Sequence, residues 1–168
     1  ALAAIAVARH LKLNDDQIRQ GLAAMQPPAM RLSVRTLGHG ASSVTLINDA
    51  YNANPDSMAA ALSALTQRPA GGRRVAVLGD MGELGEQAPA LHRQLGERLA
   101  ESEVDFAVLI GPASLYTAEA LARQWPGERM RTIPAWTDDA PDQVAEPIPP
   151  GDTVLPKASS SVGLERPG

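Results

Sequence analysis

The sequence predicts an α/β fold, a mostly parallel sheet with helices on both faces and an antiparallel hairpin at its start. Three observations carry this. Apolar runs alternate with amphipathic helical stretches along most of the chain. The first two runs are joined by Gly38-His39-Gly40-Ala41, a hairpin-like connection that favours antiparallel pairing. The second run, Val44 to Ile47, then breaks into the turn-forming segment Asn48-Asp49-Ala50-Tyr51-Asn52-Ala53 just where a capped helix begins.

The elements follow in order. Ala1 to Ala8 reads as a helix rather than a secretory signal core: it has no basic n-region, and Arg9-His10 and a capped second helix follow instead of a cleavage site. Asn14 with Gln17 forms the pattern of a capping box, and Ile18, Leu22 and Met25 recur along one face. Gln26-Pro27-Pro28 ends that unit. Ser33 to Leu37 and Ser43 to Ile47 read as the hairpin strands. Asn54 is the expected N-cap of the next helix and Pro55 its first residue, where a missing N–H costs nothing. Met58, Ala61, Leu62 and Leu65 then fall at i, i+3, i+4 and i+7, one stripe for packing on a sheet.

Beyond that helix the period is strand then helix. Val75 to Leu78 and Phe106 to Ile110 are buried strands, Gln87 to Ala100 is a helix with Leu91, Leu95 and Leu99 aligned, and Pro112 to Arg123 is another. Arg131 to Ile133 reads as a short strand, Asp138 to Ala145 as a helix, Pro147-Ile148-Pro149-Pro150 as a local turn and Thr153 to Leu155 as the last strand. Pro156 cannot donate a ladder hydrogen bond, so that strand is expected to end early. Right-handed crossovers between such units give a Rossmann-like sheet.

Composition narrows the function. The chain has 168 residues, 44% of them hydrophobic and 20% charged, which fits one globular domain plus a short extra piece. A net charge of −4 and only the short Arg73-Arg74 pair argue against nucleic acid. No membrane partner is expected. The absence of cysteine excludes disulfides and thiolate metal sites and suits the cytoplasm. His10, His39 and His92 have no zinc-type spacing and read as surface or packing residues, so no metal ligand is assigned.

Ligands of open α/β sheets collect at the carboxyl ends of strands, where Asp49 and Tyr51 sit. A carboxylate at Asp49 can accept from both hydroxyls of a ribose, or can close an Asx-turn. Tyr51, Asn52, Asn54 and Pro55 offer a ring face, amide groups and a rigid wall for adenine, although Tyr51 can equally cap the core. Arg31 can clamp a phosphate through two N–H groups, or can simply be solvated. Gly79 to Gly85 looks like a phosphate loop, but Asp80 and Glu83 would repel a triphosphate, and no GxxxxGK(S/T) sequence occurs anywhere in the chain. Its reading stays divided between a cleft loop and a structural turn. Lys157 and Ser159, just past the last strand, offer an ammonium and a hydroxyl to a carboxylate.

Several of these segments carry a family resemblance. Asn48-Asp49-Ala50-Tyr51-Asn52-Ala53-Asn54-Pro55 resembles a loop of the Mur ligases, the ATP-dependent amide-forming enzymes of peptidoglycan precursor synthesis. Arg31-Leu32 stands where that family has its Arg-Leu or Arg-Met pair, and Gly79-Asp80-Met81-Gly82-Glu83-Leu84-Gly85 is similar to its GDMxELG loop. Lys157-Ala158-Ser159 with Ser161-Val162-Gly163-Leu164-Glu165 resembles its terminal KASRS-type motif, with Pro156 and Ser160 departing from the usual aliphatic residue and Arg.

The resemblance implies residues 1–27 as a helical remnant of the central ATPase domain and 28–168 as a slightly truncated C-terminal domain. It implies ATP binding by Arg31, Asp49, Tyr51, Asn52, Asn54 and Pro55, a cleft role for Asp80 and Glu83, and contacts to the incoming D-alanyl-D-alanine by Lys157 and Ser159. The implied reaction joins that dipeptide to UDP-N-acetylmuramoyl-tripeptide through an acyl phosphate, with ATP and Mg2+. It would serve cell wall biogenesis, and with it cell shape and division. The metal ligands, the P-loop and the nucleotide-sugar pocket are expected on other domains. No catalytic residue is therefore assigned, and the chain alone is expected to be an inactive monomer. A non-catalytic nucleotide- or partner-binding module of the same fold is the competing reading.

Overall fold

The computed structural model describes residues 2–25 and 30–164. The Gln26-Pro27-Pro28 break, the domain boundary drawn there and Glu165 lie outside them. Helices α1 (Leu2–His10) and α2 (Asp15–Ala24) come first. Asn14 caps α2 as the sequence predicts: its side chain accepts from the Gln17 N–H at 2.9 Å, and the Gln17 side chain accepts from the Asn14 N–H at 3.0 Å. Neither helix buries a described residue, and Leu2, Val7 and Leu11 stand open to solvent.

The remaining chain builds one sheet. Strands β1 (Ser33–Leu37), β2 (Val44–Asn48), β3 (Arg74–Gly79), β4 (Phe106–Ile110), β5 (Met130–Ile133) and β6 (Thr153–Lys157) lie in the order β1-β2-β6-β3-β4-β5. The hairpin is antiparallel, with Ser33 opposite Asn48 and Leu37 opposite Val44; all other pairings are parallel. After β2 the chain skips one place, then steps outward through β3, β4 and β5 before returning to insert β6 in the gap. The result is three parallel neighbours, β2, β6 and β3, whose carboxyl ends lie on one edge.

Helices α3 (Pro55–Thr66), α4 (Ala88–Ala100) and α5 (Ser114–Leu121) cover one face, where Met58, Leu62, Leu65, Leu95, Leu99 and Leu121 pack on Ala76, Leu78, Leu109 and Leu155. The return helix α6 (Ala140–Ala145) covers the other face through Ala140 and Val144, beside Trp136 and Ile148, over Val75, Val77, Val108 and Val154. Burial on both faces explains why the inner strands read as unbroken apolar runs rather than alternating ones.

Two features depart from the sequence reading. Strand β6 does not stop before Pro156 but continues to Lys157, with Val77 opposite Pro156 and Leu78 opposite Lys157. The N–H and C=O of one residue in a parallel strand point to the same side, and the Pro156 carbonyl accepts from Asp49 N–H at 3.2 Å on the β2 side. The missing donor therefore faces β2, whose pairing has already ended at Leu46 opposite Val154, and the β3 ladder is untouched. Helix α5 starts at Ser114, two residues later than Pro112, because its cap comes from another element. Asp80 accepts from the Ala113 N–H at 3.2 Å and from the Ser114 N–H at 2.7 Å.

Helices α4 and α5 approach closely at Gly96, where a Cβ would fall 2.4 Å from the Thr117 carbonyl oxygen and 2.8 Å from the Ala120 Cβ. Helix propensity alone makes Gly→Ala stabilising by about 1 kcal/mol. The backbone contact reverses that sign: Gly96→Ala is expected to lower stability by about 1–3 kcal/mol through forced separation of the helices. Urea unfolding midpoints check this, and an unchanged or raised midpoint would contradict the packing described.

Candidate functional site

Parallel neighbours bring their following loops together, so the segments after β2, β3 and β6 meet although they are far apart in sequence. The first concavity there, about 330 Å³, is lined by Arg31, Leu32, Asp49, Tyr51, Asn52, Asn54 and Lys157, with Ser57, Ala60 and Ala61 from α3. A second, about 250 Å³, lies between Asn52–Asn54, Gly82–Leu84 and Ser159-Ser160.

Asp49 is the centre of the first. One carboxylate oxygen accepts from the Leu32 N–H at 3.0 Å, and the other accepts from the Lys157 ammonium at 2.5 Å. Lys157 also donates to the Asn52 carbonyl at 2.9 Å, and its side chain is 3% exposed against 13% for Asp49. A carboxylate has about four acceptor positions, so two remain for an incoming diol. Lys157 is thus brought to the same concavity as Arg31 rather than to Ser159, which lines the second.

Arg31 is held in place by strain and stacking. Its guanidinium carbon lies 4.2 Å from the centre of the Tyr51 ring, and its neighbours Met30 and Leu32 both have positive φ, 60° and 52°. Left-handed backbone at such residues costs about 1–2 kcal/mol each. The post-β2 loop offsets it: the Tyr51 N–H donates to the Met30 carbonyl at 3.3 Å, while Asp49 takes the Leu32 N–H. Tyr51 does not cap the core; it is 51% exposed.

The loop after β3 is divided. The Asp80 carboxylate is spent on the α5 cap, accepting also from the Ser114 hydroxyl at 2.9 Å, and does not line either concavity. Glu83, at φ 59°, faces the second concavity beside Ser159. Gly82 approaches closely there: a Cβ would sit 2.6 Å from the Ser159 hydroxyl oxygen, so any larger residue would have to turn that hydroxyl aside. Pro55 lines neither; it opens α3 and belongs to a small hollow with Leu91, Leu95 and Arg98.

Sequence reasoning missed Ser57, which completes the Asn54 cap: its N–H donates to Asn54 Oδ1 at 2.8 Å and its hydroxyl accepts from the Asn54 N–H at 3.0 Å. The three-residue spacing was a usable signal. It also missed the network behind the β3 loop, where His92 meets Met81 and Thr117, for which no local signal exists. No group of three or more His, Asp or Glu residues among the described residues is placed to hold a metal ion.

These features define a class of protein, the doubly wound α/β domain with a ligand-sized concavity at the carboxyl edge of its sheet. The chain belongs to the Mur ligase family: residues 30–160 match the family model described as "Mur ligase, glutamate ligase domain". It is similar to the UDP-N-acetylmuramoyl-tripeptide–D-alanyl-D-alanine ligase of Mycobacterium tuberculosis, 37% identical over 183 aligned positions that cover 98% of this chain and 35% of the relative. The Bacillus subtilis ligase of the same name is 31% identical, with 98% and 35% covered. Among solved structures, MurF from Acinetobacter baumannii aligns with a TM-score of 0.78 at 30% identity, over 97% of this chain and 34% of that one. MurF ligase from Thermotoga maritima in complex with ADP aligns at 0.74 and 28% identity, over 96% and 34%. The chain therefore spans about a third of the length of the curated relatives it matches.

The buried pair makes a measurable demand. Removing the Asp49 carboxylate with Asp49→Ala strands the Lys157 ammonium, and is expected to cost about 3–5 kcal/mol. Asp49→Asn keeps one acceptor, for either the Leu32 N–H or Lys157, and turns an amide donor toward the other, so it is expected to destabilise the chain but by less than Asp49→Ala. Chemical unfolding of the two variants checks this; an Asp49→Ala chain as stable as the parent would show that the pair does not hold the loop.

Proposed function

We propose that this chain is the C-terminal domain of a ligase that adds D-alanyl-D-alanine to UDP-N-acetylmuramoyl-tripeptide in peptidoglycan precursor synthesis, working in the cytoplasm. Residues 1–27 belong on this reading to the central ATPase domain, and their uncovered Leu2, Val7 and Leu11 support that assignment. The observation that carries the proposal is the convergence of Arg31, Asp49, Tyr51, Asn52 and Asn54 on one concavity.

The residues suit the ribose and base end of ATP. Asp49 accepts from the ribose hydroxyls with its two free positions, Tyr51 presents the ring face not covered by Arg31, and Asn52 and Asn54 supply amide groups at the rim. Arg31, stacked on Tyr51, presents its guanidinium to phosphate and neutralises charge that builds up during transfer. Lys157 is a positioning residue here: it fixes Asp49 and cancels a negative charge that would otherwise oppose the polyphosphate. Glu83 and Ser159 face the second concavity, where Ser159 hydrogen-bonds the dipeptide.

The reaction consists of two transfers. The terminal carboxylate of the tripeptide attacks the γ-phosphorus of ATP, releasing ADP and forming an acyl phosphate. The amine of D-alanyl-D-alanine then attacks the acyl carbon, and phosphate leaves as the amide forms. A magnesium ion held by residues proposed on the central domain would supply charge neutralisation of phosphoryl oxygens in the first transfer. On this reading the triphosphate-gripping loop and the nucleotide-sugar pocket belong to the other domains, and the chain alone is inactive.

Isothermal titration with ATP tests the nucleotide role. The parent chain is expected to bind weakly, and Asp49→Asn, compared at a temperature where its circular dichroism matches the parent's, to weaken binding about tenfold or more. Heat of equal size in both would remove Asp49 from the site, and none in either would overturn the reading. Incubated with ATP and both substrates, the chain is expected to release no phosphate; steady release would contradict the proposed division between domains.

A further inference from the structure

His92 is fully buried on α4, 0% exposed, and every polar atom of its ring is used. The Met81 N–H donates to its Nε2 at 3.2 Å. A backbone N–H can only donate, so Nε2 must carry the lone pair and Nδ1 the proton. The rest of the network agrees. The Thr117 hydroxyl donates to the His92 carbonyl at 3.0 Å, which leaves its oxygen free to accept from Nδ1–H at 3.2 Å. One neutral tautomer thus satisfies all four groups, and a proton on Nε2 would point at the Met81 N–H.

Met81 is the middle of the loop after β3, and that loop is pinned in a chain of contacts. Asp80 before it caps α5 and accepts from the Ser159 N–H through its carbonyl at 2.9 Å. Gly82 after it lies hard against the Ser159 hydroxyl, and Glu83 follows in the left-handed region at φ 59°. A shift at Met81 must pass to Glu83 and Ser159, two walls of the polar concavity.

We propose that His92 is a positioning residue for this loop: the Nε2 lone pair holds Met81, and through it Asp80 to Glu83 take the conformation that lines the concavity only while the ring is neutral. That the concavity receives substrate rests on the ligase reading above; that His92 sets the loop does not. Burial of the ring lowers its pKa from the ordinary 6.5, opposed by the nearby Asp80 carboxylate. The other charged groups joining α4 to α5 are at the surface, with Arg93 paired to Glu119 at 3.3 Å and stacked 4.6 Å over Tyr116. Because the folded pKa is below the unfolded one, the stability this bond contributes is complete above about pH 6.5 and is lost as pH falls through the folded value.

Amide NMR of the chain without nucleotide, from about pH 8 to about pH 5 across the ordinary histidine range, tests this. The Met81 and Glu83 amides are expected to shift with the His92 ring titration, below 6.5. In His92→Gln the side-chain carbonyl replaces Nε2 as acceptor without titrating, so the loop keeps its high-pH signals throughout. In His92→Leu, hydrogen-exchange protection at Met81 is expected to fall about tenfold, one hydrogen bond's worth, while Val77 and Val108 keep theirs. Loop signals that stay still while the ring titrates, or that move equally in His92→Gln, would overturn the proposal. Because no ATP is present, failure of the ligase reading leaves the result intact, and the Gln variant alone decides should the Leu variant not fold.

Discussion

A buried lysine ties together the ends of two parallel strands, and the arrangement of the carboxyl edge depends on it. Lys157 ends β6, Asp49 follows β2, and the two lie next to each other only because β6 inserts between β2 and β3. Taking both charges from water costs several kcal/mol per ion, which is offset only where the geometry is good and the remaining donors find acceptors. Lys157 meets much of that condition, with two of its three N–H groups placed on Asp49 and the Asn52 carbonyl. One ammonium therefore fixes the acid that faces the concavity and the backbone of the loop that walls it.

Strain follows the same distribution. Among the described residues the non-glycine positions with positive φ are Lys12, Met30, Leu32 and Glu83. Lys12 lies between the first two helices, but the other three flank Arg31 or face the second concavity. Regular strands and helices elsewhere bury the core and carry no such cost. The post-β2 loop offsets the strain at Met30 and Leu32 with hydrogen bonds, and the terminal motif confines the loop bearing Glu83. Loops held this way are pre-organised rather than adaptable, which suits recognition of a rigid ring system better than closure around a flexible chain.

The sequence disclosed whatever local periodicity or capping chemistry encodes. The stripe Met58, Ala61, Leu62 and Leu65 is buried as expected, the Asn14 and Asn54 caps form, and the hairpin is antiparallel. What it did not disclose are contacts between distant segments. The α5 start is set by Asp80, a residue 34 positions away from Ser114, and Lys157 meets its partner across 108 positions. Neither leaves a local pattern. The reading of Pro156 failed for a related reason: a proline's effect on a strand depends on which neighbour its missing N–H faces, and that is a property of the sheet. Of the candidate site residues, those in the post-β2 loop were legible as a group because they are contiguous, whereas the division of Lys157 from Ser159 between two concavities was not.

The state of α3 bears on where a triphosphate can be held. In many doubly wound folds the phosphates rest on the free N–H groups at the start of the helix that follows a strand and loop. Here most of those donors are withdrawn, leaving the Asp56 N–H. Pro55 has no N–H, the Ser57 N–H is taken by Asn54, and the Asn54 N–H is taken by Ser57. The helix start is largely closed upon itself, so the concavity beside it offers acceptors, a ring and the charge of Arg31, but not a cradle of several backbone donors. A site built like this can orient the sugar and base of a nucleotide while leaving its phosphates to be gripped by another surface, which is the physical content of the proposed division between this domain and the ATPase domain.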